Sequence, residues 1–180
     1  MIRSDQILKT VAMVQNENLD LRTVTLGINL LDCRRDSLAA MCKAVDAKIK
    51  RIAGNLMESC EEVSTRYGVP IVNRRLAVTP LADLGSGLEP EGFVKLAQVL
   101  DRAAAELGVD FVGGFTAQVQ KGASAGDMAL IEALPAALLS TERVCASINV
   151  ASTQAGLNMD VVQRLGNTLR ELAEGSKDRD

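Results

Sequence analysis

The sequence predicts an α/β protein in which helices alternate with parallel strands, and its 180 residues suit a single domain. Apolar residues recur in steps of three and four over several long segments, which is typical of amphipathic helices. Shorter segments between them alternate or are continuously apolar, which is typical of strands. No turn signal joins two successive strands as a hairpin, so each intervening helix is expected to be a crossover between parallel strands.

The boundaries of these elements have local causes in the sequence. Gly68 suits the left-handed end of a helix, and Pro70 prevents that helix from continuing. Asn158 suits the N-cap of the last helix. In chain order, we predict helices over residues 4–17, 36–67, 91–107, 127–140 and 158–172, strands over residues 23–30, 70–79, 109–116 and 143–151, and a frayed polar tail over residues 175–180.

The two faces of the outer strands differ in composition. One face of each is apolar, and the other is small or polar, with Thr25, Gly27 and Asn29 on the first strand and Cys145, Ser147 and Asn149 on the fourth. An eight-stranded barrel fills its interior with Val, Ile and Leu, which this polar face does not resemble. A wider barrel with a loop or ligand in its lumen fits better, and an open doubly wound sheet is the alternative. Alternatively, the small residues of this face serve only to let a neighbouring element of the fold pack closely against the strands.

Composition excludes several classes of function. The 20 basic and 23 acidic residues give a net charge of −3, and only four aromatic residues are present, so we expect no nucleic-acid partner. Because the chain has no histidine, a Ser-His-Asp triad, a Cys-His pair and a His-ligated metal are excluded within it. The four cysteines form no CxxC pair, so no metal site is predicted, and no cofactor is indicated. Without a signal peptide or a long apolar span, we expect a cytoplasmic protein that does not enter the membrane.

Five ordered motifs resemble one family. They are LRTVTLGINLLDC, VPIVNR, VDFVGGF, VQKG and ASTQAGLNM, which start at residues 21, 69, 109, 119 and 151. The chain thereby resembles the domain of unknown function 711 family, also called uncharacterised protein family 0210. The resemblance implies a wide α/β barrel of the pyruvate formate-lyase-like type. Family chains are more than twice this length, so it also implies that the whole chain, residues 1–180, corresponds to the N-terminal portion of a longer domain. Glycyl radical chemistry is not implied.

Candidate site residues fall near strand ends, where parallel α/β sheets bind ligands at the carboxyl side. After the first strand, Asn29 could bind a ligand, Asp32 could be a general base and Cys33 a nucleophile. Alternatively, Asp32 caps the next helix and Cys33 is a small buried residue. Arg74 lies near the start of the second strand, where it could bind a carboxylate or phosphate, or close a salt bridge.

Two further clusters follow the third and fourth strands. Gly113 and Gly114 would let a backbone approach a ligand, and Lys121 could neutralise an anion or be a solvated loop charge. The strand-to-helix turn after the fourth strand is rich in hydroxyl and amide groups, which suit an anion but also ordinary capping. Its candidate binding residues are Asn149, Ser152, Thr153 and Asn158.

Two functions remain open from the sequence. The first is a barrel enzyme, or the remnant of one, that acts on a small anionic metabolite. The second is a non-catalytic ligand-binding or regulatory subunit. In both cases an incomplete barrel leaves open strand edges, so we expect a homo-oligomer or a partner chain that supplies the rest of the barrel.

Overall fold

A computed structural model describes residues 3–17 and 21–177, apart from the side chain of Val14, and confirms the predicted α/β class. The helices are α1 (Ser4–Glu17), α2 (Leu38–Ala53), α3 (Leu56–Tyr67), α4 (Leu81–Leu84), α5 (Pro90–Leu107), α6 (Ala125–Leu139) and α7 (Met159–Gly175). The strands are β1 (Leu21–Ile28), β2 (Ile71–Val78), β3 (Phe111–Gln118), β4 (Val144–Asn149), β5 (Ala151–Ser152) and β6 (Gly156–Leu157). A 3₁₀ turn spans Leu31–Cys33.

The main sheet is parallel, and its strands follow the chain order β1-β2-β3-β4. Right-handed crossovers between strands in this order place the connecting helices on the same side of the sheet. A doubly wound sheet would instead reverse the strand order at one point and carry helices on both sides. The order therefore favours the barrel segment over the doubly wound alternative, although the four strands do not close on themselves within the described residues.

The core lies between this sheet and the helices that pack on it. Its largest fully buried side chains come from every layer and include Leu30, Ile49, Leu76, Leu84, Phe93, Phe115 and Leu130. α5 contributes most of one wall because its apolar stripe faces β3, α2 and α6. The buried side chains of the strands therefore point to the helices, and the side chains that alternate with them point away.

The segment predicted as one long helix is two helices. α2 ends at Ala53 and α3 begins at Leu56, with Gly54 and Asn55 between them. Glycine and asparagine both have low helix propensity, and the break redirects the chain before β2. The apolar spacing continues across the break, so periodicity alone could not detect it.

The segment after β4 also differs from the prediction. Ala151 pairs with Leu157 and Ser152 with Gly156, so a short antiparallel hairpin, β5–β6, precedes α7. Gly156 has a positive φ of 75°, which favours glycine at this position. This hairpin was not predicted, whereas the four main strands are parallel and joined by helices as expected. Of the predicted frayed tail, residues 178–180 lie outside the described residues, and α7 itself continues to Gly175.

α1 packs little against the rest of the described chain. Its apolar side chains Ile7, Leu8, Val11 and Met13 are all exposed. None of the described helices combines the length and apolar character that a membrane crossing requires.

Candidate functional site

One face of the four-stranded sheet is left uncovered by helices within residues 3–17 and 21–177. Its side chains are exposed or half-buried, whereas half of the strand side chains on the other face are buried. This uncovered face, which we call the open face, carries Thr23, Thr25, Gly27, Asn73, Arg75, Ala77, Phe111, Gly113, Thr116, Gln118, Cys145, Ser147 and Asn149. The contrast predicted between the two faces of the outer strands is therefore present across the whole sheet.

The composition of the open face matches neither a solvated face nor a packing face. Arg75 is the single charged side chain among its described strand residues. A solvated sheet surface normally carries many charges of both signs, and a packing face is continuously apolar. A face of hydroxyls, amides and glycines around one cation instead offers accessible backbone and hydrogen-bonding groups to a polar ligand.

The smallest side chains of the open face form one continuous row. In the strand register Gly27 pairs with Ala77, Ala77 with Gly113, and Gly113 with Cys145. We call this row the trough. No side chain in it is larger than the cysteine thiol, so the trough leaves the backbone of all four strands accessible from this side.

Arg75 stands on the amino side of the trough. It pairs in register with Thr25 on one neighbouring strand and with Phe111 on the other. Its guanidinium carbon lies 5.8 Å from the centre of the Phe111 ring, and this cation–π contact restrains the side chain on the open face. No acidic side chain of the described chain forms an ion pair with Arg75.

Hydroxyl groups stand on the carboxyl side of the trough. Thr116 pairs with Ser147, and their side-chain oxygens share a hydrogen bond of 2.9 Å. Asn149 follows on the same face of β4, where its side-chain oxygen accepts a hydrogen bond from the Ala151 amide at 3.4 Å. The trough is therefore bordered by a cation on one side and by hydrogen-bonding groups on the other.

Arg74, the arginine singled out in the sequence, lies on the opposite face of β2. Its Nε lies 3.3 Å from Oδ2 of Asp110, and its backbone N–H donates to the same oxygen at 2.7 Å. Strand alternation places Arg74 on the same side as Leu76 and Val78, beneath the helices. The salt-bridge alternative for Arg74 is thus what the structure contains, and Arg74 is separated from the trough by the sheet itself.

Asp32 and Cys33 are adjacent in the 3₁₀ turn after β1 but have unlike environments. Asp32 is exposed and ion-paired with Lys48, whose hydrogen bond holds the pKa of the Asp32 carboxyl below its ordinary value. Cys33 is 3% exposed, and burial, reinforced by the Asp32 charge, raises the pKa of its thiol. Its Sγ lies 3.6 Å from the carbonyl oxygen of Ala44. A carboxylate of lowered pKa is a weak base, and a thiol of raised pKa is a weak nucleophile at neutral pH.

The two glycines of the third cluster have different roles. Gly113 lies in the trough, whereas Gly114 is the bulged residue of β3, where the register with β4 shifts. The bulge turns Phe115 inward, so that it is fully buried, while Phe111 stays 36% exposed on the open face. Lys121 is an exposed residue of the loop that connects β3 to α6.

The polar residues at the remaining strand ends make local structural hydrogen bonds. The side-chain oxygen of Asn29 accepts from the Leu31 amide at 2.9 Å, and that of Ser152 accepts from the Ala155 amide at 3.0 Å within the β5–β6 hairpin. Thr153 is exposed in the same hairpin turn. Asn158 caps α7 through the Val161 amide, which confirms the predicted N-cap, and its Nδ2 donates to the Val119 carbonyl at 2.8 Å.

Arg75 was not among the predicted site residues, although the sequence contains a signal for it. Leu76 and Val78 mark the apolar face of β2, so a period of two places Arg75 with Asn73 and Ala77 on the other face. The alternation of apolar and polar residues along β2 therefore predicts Arg75, and not Arg74, on the polar face. Within the described part of the chain, no group of three or more acidic or cysteine side chains is arranged to hold a metal ion.

Comparison with known proteins identifies the family. The family model described as "Uncharacterised ACR (DUF711)" matches residues 12–180. The chain is 48% identical over 180 residues to the UPF0210 protein of Oleidesulfovibrio alaskensis, 49% over 179 residues to that of Desulforudis audaxviator, and 47% over 180 residues to that of Methanococcoides burtonii. These alignments cover 100%, 99% and 100% of this chain but 40% of each relative, so the chain spans less than half the length of the curated relatives it matches. The resemblance predicted from the sequence is confirmed, and the chain belongs to the DUF711 family, whose curated members are named UPF0210 proteins.

Proposed function

We propose that the open face binds a small anionic metabolite, with Arg75 holding the anionic group and the trough receiving the rest of the molecule. One observation carries this proposal: an unpaired arginine, restrained by Phe111, stands beside a row of side chains no larger than cysteine. Guanidinium groups bind carboxylates and phosphates through paired hydrogen bonds, which explains the preference for an anion.

The dimensions of the site suit a small metabolite. The row of Arg75 lies two residues before the trough, and the row of Thr116 and Ser147 lies two residues after it. Four residues of strand, about 13 Å, therefore separate the two rows. A ligand of that length could place a carboxylate or phosphate on Arg75 and hydroxyl or carbonyl groups on the hydroxyl pair, whereas a shorter anion would occupy Arg75 and the trough alone. The proposal therefore specifies a polar, oxygen-rich anion.

Binding without catalysis by this portion is the form of the function that the site favours. Neither Asp32 nor Cys33 lies on the open face, and both have pKa shifts that weaken them as base and nucleophile. An enzyme built on this surface would need its reactive group from elsewhere. The proposal thus follows the ligand-binding alternative for this chain.

Two independent measurements test the proposal, with inorganic phosphate and malate as probes. A ligand on the open face should raise the melting temperature with increasing concentration. It should also slow alkylation of Cys145, which is exposed within the trough, whereas Cys33 and Cys60 are buried and Cys42 is half-buried. Arg75→Gln should abolish both effects without lowering the melting temperature of the free protein by more than about 2 °C.

Control variants away from the open face show whether the ligand binds in the trough or elsewhere on the protein. Arg51→Gln removes an exposed arginine from α2 on the helix side and should leave both effects intact. Ser152→Ala with Thr153→Ala should also leave them intact. If that double change abolishes the melting shift while Arg75→Gln does not, the ligand binds at the hairpin and the proposal for the open face is wrong. If neither probe stabilises the protein or protects Cys145, the anion-binding function is refuted for both of these oxygen anions.

A further inference from the structure

A second polar cavity lies apart from the trough, beyond the carboxyl end of β3. It has a volume of about 560 Å³ and is bounded by the β3–α6 loop and the first turns of α7. Met128 and Val161 form its apolar wall, and Gln120, Asp160 and Arg164 are its principal polar residues. We call this cavity the α7 cleft.

Asp160 and Arg164, the two charged residues of the α7 cleft, do not form an ion pair with each other. Asp160 and Arg164 are one helical turn apart on α7, a spacing at which opposite charges commonly pair. The described chain nevertheless contains no ion pair that involves either residue. The cleft therefore offers an acceptor and a donor of opposite sign, about 6 Å apart along the helix axis.

The third polar group of the cleft is a glutamine with an unsatisfied amide. Oε1 of Gln120 is buried and accepts no hydrogen bond. A buried acceptor without a donor is unfavourable, and the terminal torsion of a glutamine turns readily. A ligand N–H group in the cleft would satisfy this oxygen once the amide rotates toward it.

The walls of the α7 cleft are joined by direct hydrogen bonds. Asn158 caps α7 through the Val161 amide at 3.3 Å, and its Nδ2 donates to the Val119 carbonyl at 2.8 Å. One residue thereby links the start of α7 to the residue that precedes Gln120. The backbone positions that carry Gln120, Asp160 and Arg164 are thereby fixed before any ligand binds, while the exposed Asp160 and Arg164 side chains would be ordered by the ligand.

We propose that the α7 cleft binds a free α-amino acid. Its carboxylate would pair with Arg164, and its ammonium group would donate to the Asp160 carboxylate and to Oε1 of Gln120. Only a molecule with both charges satisfies all three groups, because an anion leaves Asp160 and Gln120 without a donor and an amine leaves Arg164 without an acceptor. The proposal is independent of the anion site on the open face.

Thermal melting of the 180-residue chain with each proteinogenic amino acid tests this proposal. At least one amino acid should raise the melting temperature saturably, by about 2–6 °C. The matched pair L-alanine and L-lactate isolates the ammonium group, since lactate carries a hydroxyl in its place. Any amino acid that stabilises the protein should exceed its α-hydroxy acid counterpart at least about tenfold in apparent affinity.

Variants assign the binding to the cleft. Arg164→Gln, Asp160→Asn and Gln120→Leu should each weaken the amino acid at least about tenfold. Arg170→Gln removes another α7 arginine, which contacts Glu174 outside the cleft, and should leave the affinity unchanged. Arg75→Gln should also leave it unchanged, which separates this site from the open face.

Three results would overturn the proposal. The first is that no amino acid stabilises the protein. The second is equal binding of an amino acid and its hydroxy acid, which would mean that the ammonium group is not recognised. The third is wild-type affinity in Arg164→Gln, or in both Asp160→Asn and Gln120→Leu.

Discussion

The Cys33 thiol shows how burial and a neighbouring charge together decide the reactivity of one residue. Removal from water disfavours the thiolate, and the adjacent Asp32 carboxylate disfavours it further, so the pKa of the thiol is raised. A raised pKa means that the thiolate fraction at neutral pH is below that of an ordinary cysteine and increases only in alkaline solution. The nearby Lys48 charge opposes this shift but does not reverse it.

We therefore predict that Cys33 resists alkylation in the folded protein. Brief treatment with iodoacetamide at neutral pH, followed by peptide mapping, should label Cys145 and leave Cys33 unlabelled. Cys33 should react at a rate like that of Cys145 only after unfolding in guanidinium chloride. Rapid labelling of Cys33 in the folded protein at neutral pH would restore it as a nucleophile candidate and would contradict the buried geometry.

The pair Arg74 and Arg75 shows which site residues were predictable. Adjacent residues in a strand point to opposite faces, so one arginine pairs with Asp110 under the helices and the other stands free on the open face. Strand alternation is readable from the sequence and would have separated the two. The cation–π contact of Arg75 was not readable, because it depends on the register between β2 and β3.

At the scale of elements, the bulge in β3 determines which aromatic residue enters the core. Gly114 has a φ of 135°, a conformation that side chains rarely adopt. A Cβ atom there would overlap the Val78 side chain and lie 3.0 Å from the Val78 carbonyl oxygen. Because the bulge adds one residue, Phe115 points to the helices and Thr116 points to the open face.

Gly114→Ala should accordingly destabilise the protein by about 2–4 kcal/mol, because strain at a positive φ adds to a clash with backbone atoms. Gly27→Ala is the matched control, since a Cβ at Gly27 meets no atom within 4 Å. Its effect should be within about 0.5 kcal/mol. Urea unfolding of both variants measures the difference, and equal stabilities would mean that β3 does not contain this bulge.

Element type was predictable from the sequence to a much greater extent than element ends. The period-two and period-3.6 patterns correctly predicted the four main strands and most helices, because burial on one side of the sheet imposes those periods. The break between α2 and α3 and the β5–β6 hairpin were missed. Both are set by short stretches of turn residues, Gly54-Asn55 and Thr153–Gly156, within patterns that otherwise continue.

At the scale of the whole molecule, the uncovered surfaces concentrate at β4. β1 and β4 are the outer strands of the sheet, and each has one edge without a partner in the described chain. Beside β4, an apolar groove of about 230 Å³ runs between α6 and α7 and is lined mainly by Leu134, Leu138, Ala146, Ile148, Leu165, Leu169 and Leu172. Leu169 is 65% exposed. An open strand edge next to exposed leucines favours association with another chain.

We predict that the purified chain self-associates through this surface, because a second copy is then the only protein available to cover it and symmetric pairing satisfies both copies at once. Light scattering across a dilution series should show a mass above 19.2 kDa that falls on dilution. Leu169→Glu places a charge in the groove and should shift the chain to monomer while its far-UV circular dichroism is retained. Val63→Glu, on the exposed side of α3, is the matched control and should leave the association intact. A monomer at every concentration with a sharp cooperative melt would show that the β4 edge and the groove are stable in water without a partner.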